Sequence, residues 1–201
     1  MTRSAGVALA ILMAATLAVA DQQKAADKVR KAEREYSIGN LPRAEKLARD
    51  AIKEDPGFVR AHALLADTLM ITRRYSAAAE EYTAALKADE ERKSLTSAQR
   101  NTMRNQQGAA YGLAGYLDRA KEIFEAAIKD DPDYPLFYYN LGAVYAEKGQ
   151  LDPALDLLRE AWKRRSGLPA GESFPDPRKD SSFARYLNDP KFQDAVREMV
   201  F

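Results

Sequence analysis

The chain has no cysteine and only one histidine, His62, among its 201 residues. Without thiols there is no disulfide, no thiolate nucleophile and no cysteine-based zinc site, so stability has to come from packing. A Ser-His or Cys-His nucleophile system would have that single imidazole to draw on. Glycine-rich phosphate loops are missing as well. Asp130, Asp131 and Asp133 surround Pro132 but lack the ligand spacing and bidentate glutamate of a calcium loop, and they read as turn and capping residues. Neither sign of charge is in surplus: 31 Lys and Arg stand against 30 Asp and Glu. Nucleic acid and anionic membranes therefore find no broad electrostatic handle. These absences argue against an enzyme, and no cofactor or metal is expected. Glycine and proline, at 10 and 9 residues, are sparse and scattered. Ala, Leu, Glu, Lys and Arg dominate, the residues that lose least on entering a helix, so the expected fold is all-α.

One uncharged apolar run stands apart. "MTRSAGVALAILMAATLAVA" carries Arg3 near its start, an apolar stretch from Ala5 to Leu17, and Ala18-Val19-Ala20 before the first acidic residue, Asp21. That is the layout of a secretory signal peptide over residues 1–20, with cleavage expected after Ala20. It predicts an exported protein, periplasmic or extracellular. The alternative is an inner-membrane anchor formed by residues 4–20, slightly shorter than the about 20 residues a spanning helix needs. A membrane partner is expected only if this segment stays uncleaved.

Past the leader the chain repeats itself. "RAEKLARDAIKEDP", "SAAAEEYTAALKADE", "RAKEIFEAAIKDDP" and "PALDLLREAWKRRS" share one template. Ala44/Ala48/Ala51, Ala78/Tyr82/Ala85, Ala120/Phe124/Ala127 and Ala154/Leu158/Ala161 recur at i, i+4, i+7. That spacing places each trio on one helical stripe, where small residues admit a close neighbour. A second helical pattern precedes each stripe, and Gly115 and Gly149 break it where the chain must reverse. Asp152-Pro153 reads as an N-cap with proline at the first helical position. Each repeat is thus an antiparallel helical hairpin.

The repeats resemble the tetratricopeptide family, whose pattern of W-x2-L-G-x2-Y, A-x3-F, alanine and closing proline runs over about 34 residues. The units align as 25–58, 59–92, 101–134 and 135–168. Unit four keeps Leu141, Gly142, Tyr145 and Ala154, with Tyr138 in the tryptophan place; unit three keeps Gly108, Tyr111, Ala120, Phe124 and Pro132. Unit two departs with Arg73 in place of the turn glycine, and His62 takes the position of the packing tryptophan. The resemblance implies a right-handed superhelical stack of antiparallel helix pairs, a solenoid.

Eight additional residues separate units two and three, within "KADEERKSLTSAQR", which has no proline or glycine. The second helix of unit two is expected to run on, with Thr96 and Gln99 forming a capping box for the next helix. The extension is either a solvated charged turn or a lip that touches a partner. Residues 169–201 read as a loop followed by short capping helices. There Phe183/Tyr186/Leu187 and Phe192/Ala195/Val196/Met199 are the apolar stripes that close an open repeat stack.

The resemblance also implies what the chain does. First helices of successive repeats line a concave groove that binds a peptide or protein, and on the matching positions Arg60, Asp67, Asn105, Tyr139 and Asn140 are the groove residues. Of the five aromatics in "YPLFYYNLGAVY", Tyr139 is the one expected to face a partner. Val29 and Glu33 occupy places where carboxylate-clamping relatives carry lysine and asparagine, so that clamp is not expected. The reading is a non-enzymatic protein-binding scaffold of the bacterial cell envelope. Its alternative is a structural subunit of a larger envelope assembly, held through its convex face, its ends or the helix extension.

Overall fold

The computed structural model of the chain describes residues 2–168 and 171–199. Among them there are nine α-helices and no strand. They divide into two compact units, Met1–Ser94 and Leu95–Phe201. The first holds α1 (Thr2–Ser37), α2 (Leu41–Glu54), α3 (Val59–Ile71) and α4 (Tyr75–Arg92). The second holds α5 (Ser97–Leu113), α6 (Leu117–Asp130), α7 (Pro135–Glu147), α8 (Leu151–Lys163) and α9 (Pro190–Arg197). In each unit consecutive helices pack as antiparallel pairs, and the pairs stack, α2 on α3 and α6 on α7.

The first helix is continuous through the proposed leader into the first repeat. The side chains of residues 1–15, 17 and 18, on which the leader reading largely rests, lie outside the described ones. No helix among the described residues is long and apolar enough to cross a membrane.

The alanine stripes are packing surfaces. Ala44, Ala48, Ala51, Ala78, Ala85, Ala120, Ala154 and Ala161 are all at 0% exposure. Their size lets the paired helix come close, and a larger middle member fills the gap where there is one: Phe124 and Leu158 are fully buried. Burial of a side chain such as Phe124 is worth about 2–3 kcal/mol. Gly108 makes that fit possible, because a Cβ at this position would stand 2.5 Å from Phe124 Cζ. The family glycine is here a socket for the family phenylalanine.

All four hairpins turn the same way. Gly39, Gly115 and Gly149 adopt φ of 78°, 83° and 78°, and Arg73 takes the same left-handed place at 58°. In each, this residue's N–H reaches the carbonyl three back and the next N–H the carbonyl five back, as in Arg73 to Met70 (3.0 Å) and Arg74 to Leu69 (2.9 Å). This doubly bonded Schellman closure satisfies carbonyls that the helix end leaves open. The turn's hydrogen bonds therefore outweigh the steric cost of an arginine there.

The N-terminal boundary of α8 differs from the sequence reading. Its N-cap is Gln150, so Asp152 and Pro153 lie inside the first turn. Proline fits there because first-turn amides have no intrahelical acceptor. Asp152 is free to pair with Lys191 of α9 at 2.7 Å. At α9 the Asp189 carboxylate caps the amides of Lys191 and Phe192 ahead of Pro190.

The α4 helix spans 18 residues where α6 has 14. Its extra length is anchored. Arg92 forks onto Asp55 at 2.8 and 2.6 Å, and buried Asp89 accepts from the Ser94 amide at 2.8 Å and its hydroxyl at 3.2 Å. Thr96 and Gln99 then form the capping box of α5.

Beyond α8 the chain crosses 3-10 turns at Pro177–Lys179 and Ser181–Tyr186 before α9. Phe183, Phe192, Ala195, Val196 and Met199 join Tyr138, Tyr139, Leu155 and Leu158 in one cluster. The tail thereby covers the apolar end of the α7–α8 pair.

Candidate functional site

The residues singled out as groove contacts fall in both units. In the first unit, Arg60 of α3 pairs with Glu33 of α1 at 2.6 Å on a face where the Arg60 side chain is largely exposed. Such a pair is worth no more than about 1 kcal/mol and yields easily to a charged ligand. Asp67, half-buried on α3, accepts the Tyr82 hydroxyl at 2.6 Å. Burial pushes the Asp67 carboxyl up, and the Tyr82 hydrogen bond partly offsets this. Burial, together with the Asp67 charge, pushes the Tyr82 phenol well above its ordinary value, so it stays a donor. Val29 is 1% exposed and belongs to the core beside Ala32 and Leu64, packed under Tyr36. His62 is also buried, with both ring nitrogens engaged, consistent with a packing role.

In the second unit the structure brings Asn105 and Asn140 together: Asn140 Nδ2 donates to Asn105 Oδ1 at 2.7 Å. Each half-buried amide then retains groups for a ligand, the Asn140 oxygen as acceptor and the Asn105 nitrogen as donor. That is the complement of one peptide unit.

Tyr139 requires a correction. The sequence reading aims it at a partner, but it is 2% exposed. Its hydroxyl donates to Asp180 Oδ2 at 3.0 Å, and the rings of Phe174 and Phe183 meet it edge-on at 5.7 and 6.1 Å. Burial and the neighbouring Asp180 charge hold the phenol protonated, far above its usual range. The chain's own tail takes the place expected for a ligand. The other aromatics of that stretch are mortar: Tyr138 bonds the Pro132 carbonyl at 3.0 Å under Arg164, and Tyr134 packs on Phe137 at 4.6 Å.

Beside the amide pair a cleft of about 410 Å³ opens between α5 and α7. Its apolar lining includes Ala109, Gly112, Leu113 and Ala143, and one wall is formed by Asp180, Ser181 and Ser182 of the tail. Leu113, 55% exposed at the cleft, offers an apolar side chain to whatever lies there. Glu147 also lines the cleft. Sequence reasoning missed Leu113 and Glu147, although both stand two residues ahead of a reversal glycine, Gly115 and Gly149, about two turns beyond Asn105 and Asn140. It also had no means of placing the tail wall. Among the described residues no cluster of three or more His, Asp or Glu could hold a metal ion.

The comparisons agree with this architecture. Two family models, both described as tetratricopeptide repeat, match residues 29–92 and 113–168, together more than half of the chain. No curated protein sequence matches it. Among solved structures, one titled "Crystal structure of MamA" superposes with a TM-score of 0.62 at 19% identity, covering 73% of this chain and 81% of that one. A second, "Crystal structure of MamA protein", gives 0.61 at 18% identity over 78% and 81%. The double mutant "MamA RS-1 ArsTM" gives 0.61 at 16% identity over 73% and 78%. At that identity the likeness establishes the fold, and with the two repeat models it places the stacked hairpins, their shared turns and their alanine stripes together: the chain belongs to the tetratricopeptide repeat family.

Proposed function

We propose that the protein is a non-enzymatic interaction scaffold of the bacterial cell envelope, holding a peptide or protein segment on the first helices of its repeats. The observation that carries this is the cleft lined by Asn140, whose amide nitrogen is bonded to Asn105 and whose oxygen is left as an acceptor beside an apolar floor and the exposed Leu113. Asparagine amides satisfy an extended backbone, and the floor takes its side chains. Arg60 and Asp67 of the first unit offer a separate polar surface for contact. The envelope location rests on Arg3, the apolar run and Ala18-Val19-Ala20, which together suit export with cleavage after Ala20.

The test is a photo-crosslinking residue placed at Leu113 in intact cells, with Glu122 on α6 as the control position. Adducts from position 113 alone support the groove. Adducts from position 122 alone would favour the rival, a structural subunit gripped by its outer surface. Fractionation of the same cells checks location: a mature-sized chain in the periplasm or medium supports export, and a precursor-sized chain in the membrane supports the anchor.

A further inference from the structure

We infer that the cleft between α5 and α7 selects a partner segment carrying a lysine or arginine next to an aliphatic side chain, an inference that rests on the groove reading above. Among the described residues, the charged ones that line the cleft are Glu147 and Asp180, both acidic, and no lysine or arginine does. The Asp180 carboxylate is held in place: one oxygen accepts the Tyr139 hydroxyl at 3.0 Å and the other the Ser182 amide at 2.9 Å. Glu147 is less engaged. Its Oε2 stands 3.8 Å from Arg185 Nη2, beyond hydrogen-bond reach, and both side chains are well exposed. An incoming ammonium or guanidinium can therefore gain a direct bond to Glu147 while displacing little.

The rest of the lining sets the second requirement. Ala109, Gly112 and Ala143 leave a shallow floor of small residues, with Leu113 at the edge. An aliphatic side chain laid there would cover Leu113, and the stem of a lysine or arginine can run along the same floor with its charge at Glu147. Asn140, held through its nitrogen by Asn105, would offer its amide oxygen to the segment's backbone between the two. An acidic segment would instead meet two carboxylates, a repulsion that rejects wrong partners. The tail is thus more than a cap, since Asp180, Ser181 and Ser182 complete the wall.

Selection of short random peptides displayed on phage against the full chain tests this, followed by anisotropy titrations of the enriched peptides. The expected result is enrichment of a basic residue beside an aliphatic one. Glu147→Lys should weaken those peptides by about five- to tenfold, Leu113→Asp should weaken them too, and Glu122→Lys should not, with far-UV circular dichroism showing each variant folded. Raised salt should weaken binding, and swapping the peptide's basic residue for glutamate should restore affinity for the Glu147→Lys chain. Enriched peptides that lack a basic residue, or that bind the Glu147→Lys chain equally well, overturn the inference and leave the groove reading standing. Failure to enrich any peptide overturns the groove reading itself.

Discussion

His62 Nδ1 lies 2.7 Å from Glu81 Oε2 while its Nε2 faces the Pro56 carbonyl at 2.9 Å, so both ring nitrogens of one buried imidazole meet acceptors. Only the doubly protonated ring donates to both. Burial by itself would lower its pKa, but the Glu81 hydrogen bond, the Pro56 carbonyl and the charges of Glu81 and Asp55 outweigh it and raise it above the ordinary value. Arg92 sits behind Asp55 and tempers the last of these. The native state thus holds the proton more tightly than the unfolded chain, where histidine titrates near about 6.5. The resulting stability is fully present below that pH and is lost as pH rises through the native pKa. Urea midpoints of the wild type and His62→Gln, measured from about pH 6 to about pH 9, should converge with rising pH. A gap that stays constant across that range would refute the charged-histidine reading.

Arg73 holds a left-handed conformation that glycine fills in the other three hairpins. It is exposed, so its replacement removes little but the backbone strain. Arg73→Gly should stabilise the chain by about 1 kcal/mol. Gly149→Ala, at the equivalent place in another hairpin, should destabilise it by a similar amount. Thermal melts of the two variants would show opposite shifts, and a lower midpoint for Arg73→Gly would contradict the strain argument.

The hairpins were legible in the sequence because their periodicity is local: Ala120, Phe124 and Ala127 recur on one face of one helix, and a glycine marks three of the four reversals. Arg73 breaks the composition of the motif yet keeps its geometry, since the turn's hydrogen bonds are made by backbone. The helix start at Leu151 was misplaced because Asp-Pro is a strong local cap signal that backbone pairing from Gln150 overrides. Tyr139 was misread for a different reason. Its partner, Asp180, lies 41 residues away, in a segment too irregular for any period to register. Family position could say that Tyr139 leaves the packing stripe, but not what covers it.

Gly108 and Phe124 interlock so closely that the smallest added side chain has nowhere to go. A Cβ at Gly108 would stand 2.5 Å from Cζ and 2.6 Å from Cε1 of a fully buried ring. Gly108→Ala should therefore cost about 1–3 kcal/mol through overpacking, although alanine is the better helix former. Gly108→Ala combined with Phe124→Leu should recover part of the loss, because the shorter side chain vacates the clash. Urea unfolding of the single and double variants measures this, and simple additivity of the two effects would rule the interlock out.

The last prediction concerns the tail over Tyr139. Tyr139→Phe keeps the ring contacts with Phe174 and Phe183 but removes the hydroxyl that reaches Asp180. Loss of a hydrogen bond to a charged acceptor costs about 1.5–3 kcal/mol, and the cost should fall on the docking of the tail. The Asp180 carboxylate still accepts from the Ser182 amide, so the 3-10 turn it opens keeps its cap. Limited proteolysis of the variant should cut the segment between α8 and α9 faster than in the wild type, while fragments from the first unit appear at the wild-type rate. If Tyr139 met a partner directly, the same substitution would weaken partner capture and leave the tail's protease resistance untouched. The two readings thus separate on one variant: a loosened tail follows from the Tyr139–Asp180 bond, and an intact tail with lost binding follows from a tyrosine exposed in the groove.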